Sequence, residues 1–151
     1  MSTMNYFYFL IAILAGAIFA LQPPLNASIA RTLNNPLLAA LVSFSVGTIV
    51  LLIINLIIGI KFPPVTKLQT LPWWVWLSGG TIGAFVVSTV IVIQPKIGAA
   101  SWVACYVFGQ LVMSVLIDNY GLLNSSIHPV DFARLLGVFF LAIGAILIAC
   151  Y

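Results

Sequence analysis

The 151-residue chain is 64% hydrophobic and 5% charged, with five Lys or Arg against two Asp or Glu and a net charge of +3. Its mean hydropathy of +1.26 excludes a soluble globular domain and places the chain in lipid.

A helix needs roughly 20 mostly apolar residues to cross a hydrocarbon core of about 30 Å, and five segments meet that length. The first is 5–22, "NYFYFLIAILAGAIFALQ". It lacks a basic n-region and its apolar run ends at Pro23-Pro24, so it is expected to stay as a membrane helix rather than be cleaved. The stretch 25–35 reads as a kinked extension of it, because proline removes a backbone donor and bends the helix. Gln22 and Asn26 flank this break. Either they line a cavity, where freed carbonyls are tolerated, or the helix simply leaves the membrane there.

The second span is 36–60. Residues 61–72, with three prolines and two lysines, read as a loop. The third span, 73–93, opens with Trp73, Trp74 and Trp76 at the level where interfacial aromatics belong, and Trp76 is also a candidate solute contact. Residues 94–96, "QPK", read as a tight turn. The fourth span is 97–118, and Gly121 is a plausible cap behind it. The fifth is 131–151. Almost nothing remains outside the spans, so the fold class expected is an all-α polytopic membrane protein, a single integral membrane domain over 1–151.

Small residues recur on three helices: Ala12, Gly16 and Ala20; Gly79 and Gly83; Ala133, Gly137 and Gly144. Lipid tails compete fully with Leu, so helices associate where small residues let backbones approach. Such seams can be intramolecular or between subunits, and "SGGTIGA" (78–84) can serve packing or a hinge. Cys105 and Cys150 lie in different spans, which argues for packing roles and against a disulfide. His128, beside Pro129, reads as solvated.

Orientation is finely balanced. Lys61, Lys67 and Arg134 fall on the side of the N-terminus, and Arg31 and Lys96 on the other. The positive-inside rule works by difference, so three against two leaves insertion in both directions open. Two oppositely oriented copies would form the inverted repeat on which many secondary transporters are built.

The fourth span holds a polar ladder. Each step of four residues drifts by about 40°, so Tyr106, Gln110 and Ser114 share one face, with Trp102 and Asp118 at its margins. A stripe rising roughly 24 Å should face protein or water rather than lipid. Gln110 can line a cavity or bond a neighbouring helix. Ser114 is expected to bond its own backbone one turn back. Trp102 and Tyr106 offer aromatic faces to an organic solute. Asp118 is a coupling candidate by its place in the membrane, or a carboxylate solvated at a helix end. The helix dipole disfavours it there, which calls for a local compensation.

"QPPLNASIAR", "PWWVWLSGGTIGAF", "PKIGAASW", "FGQLVMSVLIDNYG" and "RLLGVFFLAIGAIL" resemble the successive motifs of the YdcZ-like five-helix family, placed in the drug/metabolite transporter superfamily. The resemblance runs over essentially the whole chain. It implies a bacterial inner-membrane, multi-pass protein among the small secondary carriers, with paired or dual-topology halves. The small multidrug-resistance branch of the superfamily uses a membrane-embedded glutamate in its first helix. This chain has no acid in its first three spans, and Gly16 stands in the "AILAG" stretch where one would be sought, so that coupling mechanism is not expected.

The function expected is a small secondary transporter, an exporter or uniporter of a small organic solute, working as an antiparallel homodimer by alternating access. Its solute-binding candidates are Gln110, Tyr106, Trp102, Ser114, Gln22, Asn26 and Trp76. The alternative is a non-transporting membrane subunit that pairs with and regulates another membrane protein. Its partners are the bilayer and either itself inverted or an oppositely oriented paralogous chain, with no nucleic acid. No ring-forming charge repeat or carbonyl filter points to a channel. No Ser/His, Asp pair or His-Glu motif lies in the spans, so no catalytic group, metal or cofactor is expected.

Overall fold

The computed structural model describes residues 3–61, 63, 64, 66 and 70–150. Lys67, much of the loop expected over 61–72, and the last residue of the fifth span lie outside the described residues. The helices are α1 (Thr3–Phe19), α2 (Gln22–Leu33), α3 (Pro36–Ile58), α4 (Trp73–Ile97), α5 (Ala99–Tyr120) and α6 (Phe132–Cys150), with a 3-10 turn at Leu122–Asn124. With α1 and α2 taken as one broken span over Phe7–Leu33, five spans are long and apolar enough to cross a membrane. The chain forms two compact units, Met1–Ile93 and Gln94–Tyr151.

In the first unit the break comes just before the prolines. α1 ends at Phe19, Leu21 N–H bonds the Ile18 carbonyl at 3.1 Å, and α2 restarts at Gln22 with the Pro pair in its first turn. Proline fits the first turn because those N–H groups have no intrahelical acceptor. It also leaves the Phe19 and Ala20 carbonyls without their i+4 donors. α2 stops at Asn34, which takes the left-handed conformation at φ 52°. Asn35 then caps α3, its side chain accepting from Leu37 N–H at 2.8 Å and Leu38 N–H at 3.2 Å. This two-residue link folds α2 back on α3. The seam is made of small residues: Ala39 and Ala40 of α3 pack with Val87 and Ile91 of α4, with Ile29 and Ala30 of α2 against them.

α4 continues through Pro95 to Ile97, so the tight turn expected over 94–96 is a helical turn. Proline there costs only the bond to the Ile91 carbonyl, and the helix ends instead before Gly98, φ 88°. Gln94 is consequently a helical residue. It is 6% exposed and extends the stripe of Val87, Val90 and Ile91 by one turn.

In the second unit α5 and α6 form a hairpin, tied by Ser101 Oγ donating to the Ile148 carbonyl at 3.3 Å. Gly121 terminates α5 at φ 61°, and a Cβ there would meet Ile127 Cγ1 at 2.7 Å. Both the conformation and the space require glycine. Gly121→Ala should therefore destabilise by about 1–3 kcal/mol, read as a lower melting temperature of the purified protein. The loss should shrink when Ile127→Ala is added. Equal losses with and without that second change would mean that Ile127 does not press on the turn.

Candidate functional site

Hydroxyls and amides in lipid must find partners within protein, and several polar side chains in these spans bond their own helix. Thr48 donates to the Phe44 carbonyl (2.8 Å), Asn55 to Leu51 (2.7 Å), Thr81 to Leu77 (2.9 Å) and Thr89 to Phe85 (2.7 Å). The exceptions mark where polarity is held open.

Two of them stand on α5. Trp102 and Tyr106 are half-buried and stack with ring centroids 5.9 Å apart and planes 15° apart, one turn on from each other as the four-residue step dictates. Gln110 and Ser114 continue the line and are exposed. The expected bond from Ser114 to its own backbone is not made, and Gln110 has no hydrogen-bond partner among the described residues. At 100° per residue, Gln110 lies about 200° around α5 from Phe108, which with Cys105 faces Ala142, Ala145 and Ile146 of α6. The ladder thus points away from the hairpin partner. Cys105 and Cys150, both free, line the same apolar cavity of about 300 Å³ between α5 and α6.

Asp118 ends the ladder in the last turn of α5, and the compensation that its position calls for is Arg134. The Arg134 guanidinium lies 3.7 Å from the carboxylate, both side chains 39% exposed, and also donates to the His128 carbonyl at 3.2 Å. His128 N–H donates in turn to the Asp118 carbonyl at 2.9 Å. Asn119 accepts from Val130 N–H (3.0 Å), and Asp131 caps α6 by accepting from Arg134 N–H (2.7 Å). Asp118 is one strand of a clasp closing the α5–α6 hairpin. An exposed pair of this kind is worth at most about 1 kcal/mol.

In the first unit Gln22 and Asn26 fall one turn apart on one face of α2. Gln22 lines a cavity of about 270 Å³ with Ser43, Phe44, Gly47, Thr48 and Leu51 of α3. Asn26 is 4% exposed, and its amide nitrogen Nδ2 has no hydrogen-bond partner among the described residues. Trp76 is exposed and does not line this cavity. Gly83 packs under Phe44, whose Cζ would be 3.2 Å from an added Cβ; Gly16, Gly79, Gly137 and Gly144 have nothing within 4 Å. Of the small-residue seams, Gly83 is therefore filled within the described residues, while the other four are bare.

Ser43, Phe44, Thr48 and the buried Gln94 were not singled out by sequence. The signal available was "SFSVGT" (43–48), a polar interruption of an otherwise aliphatic span.

A family model described as "Putative inner membrane exporter, YdcZ" matches residues 7–147, reaching into all five spans. No curated protein and no solved structure matches the chain significantly.

Proposed function

The chain belongs to the family described as "Putative inner membrane exporter, YdcZ", and from that premise we propose that it is a secondary carrier of a small organic solute, working as an antiparallel homodimer by alternating access. The observation that carries this reading is the exposure of Gln110 and Ser114. A carboxamide left unpaired in hydrocarbon costs several kcal/mol, so a second chain or a solute-filled cavity must meet that face. The bare glycines of α1, α4 and α6 offer close approach to such a partner.

In this reading the stacked Trp102 and Tyr106 give the solute a flat apolar wall, and Gln110 and Ser114 give it hydrogen bonds. Gln22 and Asn26 contribute a second polar surface at the broken helix. Trp76 is a peripheral contact at the interface. Asp118 couples only if its pairing with Arg134 opens during the cycle.

Topology tests the assembly. Single thiol labels in the 119–130 loop and at position 151, with Cys105 and Cys150 replaced, should be modified from both sides of the membrane in one cell population. Labelling from one side alone would leave the antiparallel homodimer without support and require an oppositely oriented second chain.

A further inference from the structure

The α2–α3 cavity has a chemistry more specific than its size, and its recognising groups are set by helix register. α2 and α3 are antiparallel neighbours, so one turn back along α2 matches one turn forward along α3. Ala30 packs at the level of Ala39 and Ala40. Asn26 then falls at the level of Ser43, and Gln22 at that of Gly47. Gln22, Ser43 and Gly47 do line one cavity, as this register requires. Asn26, one turn further along α2, is not among the lining residues, and its buried amide N–H meets no acceptor among the described residues. Leaving such a donor unmet costs about 1–3 kcal/mol.

Among the described residues, no charged side chain lines the cavity. A cation entering here meets no counter-charge among these lining residues. The nearest cation along α2 is Arg31, nine residues and about 13 Å from Gln22, and it is engaged with Ser28 Oγ at 2.9 Å. A helix N-terminus can hold an anion through free N–H groups, but Pro23 and Pro24 remove two of those groups from α2. Transferring an unpaired ion into such a site would cost several kcal/mol. What remains are the Gln22 carboxamide and the Ser43 hydroxyl, beside the Phe44 ring held against Gly83. A volume of about 270 Å³ falls below the usual range for drug-sized ligands, roughly 300–1,000 Å³.

We propose that this cavity binds an uncharged, metabolite-sized organic solute through hydrogen bonds to Gln22 and Ser43, with the Asn26 amide turning in to meet it. The proposal rests on the carrier reading above and names its solute class: polar, neutral, with at least one acceptor for the Asn26 amide.

The test reads the cavity directly, without transport. Ser43→Cys and Thr48→Cys are each placed in the full-length protein with Cys105 and Cys150 changed to Ala, and the protein is reconstituted in liposomes. Each is treated with a neutral, a cationic and an anionic methanethiosulfonate of similar size, every rate divided by that of a free thiol in water. Leu41→Cys, on an exposed part of α3, is the lipid-facing control. The neutral reagent should modify both cavity positions at least tenfold faster than either charged one, and faster than it modifies the control. Comparable rates for a charged reagent would show that the site accepts ions, and no reaction at either position would show that it admits no solute. A control as reactive as the cavity would mean delivery through lipid. Each of these three results overturns the proposal while leaving the carrier reading to stand or fall on topology and flux.

Discussion

Gln110→Ala should lower solute flux about tenfold while leaving the yield, helicity and melting temperature of the purified protein unchanged. The two halves of that expectation have separate causes. Within one chain Gln110 bonds nothing among the described residues and points away from α6, so removing its carboxamide takes away no intrachain hydrogen bond. It removes a polar group that is costly in lipid, so the isolated fold should not suffer. The loss must then arise where the amide is used. Interhelical hydrogen bonds in membranes are worth about 0.6–1.7 kcal/mol, and about 1.4 kcal/mol is a factor of ten in rate. The measurement is flux of the carried solute into proteoliposomes, normalised to folded protein. Cross-linked dimer yield should be followed in parallel. Wild-type flux from a well-folded variant would remove the α5 stripe from the site. Loss of dimer together with flux would make Gln110 an assembly contact instead.

Sequence discloses the spans because a run of about 20 apolar residues has one stable destination. It also discloses ends that depend on single residues: Gly121 at φ 61°, and the Pro pair beside the α1–α2 break. Pro95 shows where that logic fails. A proline near a helix C-terminus loses one hydrogen bond and need not stop the helix, so α4 runs on to Ile97 and Gln94 is a buried helical residue. The Asp118–Arg134 pair joins residues on two helices through a loop whose path is set by Asn119, His128 and Asp131 hydrogen bonds. Composition can call for a counter-charge there but cannot choose it. The α2–α3 cavity was half legible. Gln22 and Asn26 stand beside a recognisable break, whereas Ser43 looks the same in sequence as Thr48. Thr48 bonds its own helix and Ser43 does not, a difference of side-chain orientation that spacing alone does not determine. The seven-residue rise of the stripe Val87–Ile91–Gln94 was equally available, but only once 94–96 is known to be helical.

Asn26→Leu should make the protein more stable and, at the same time, abolish its recognition of solute. Asn26 is buried on α2 together with the apolar Pro23 and Ala27, and its amide N–H is unmatched among the described residues. Leucine has similar reach and no donor, so the exchange removes the penalty of an unsatisfied buried group, about 1–3 kcal/mol, without opening a void. Asn26→Ala is the contrasting change, since it removes the same donor but also leaves a cavity, whose cost opposes the gain. Thermal unfolding of the purified protein in detergent should therefore rank Leu above Asn, with Ala below Leu. Flux should fall in both variants, because neither can donate to a solute acceptor. A destabilised Asn26→Leu would mean that the amide is matched in the assembled protein, by a partner chain or a fixed water, and is structural. A stabilised variant with undiminished flux would place the solute elsewhere. The expected combination, stability gained and function lost, is what a polar group kept for a ligand produces: the folded chain carries the unmet hydrogen bond as a standing cost, and only a bound solute offsets it.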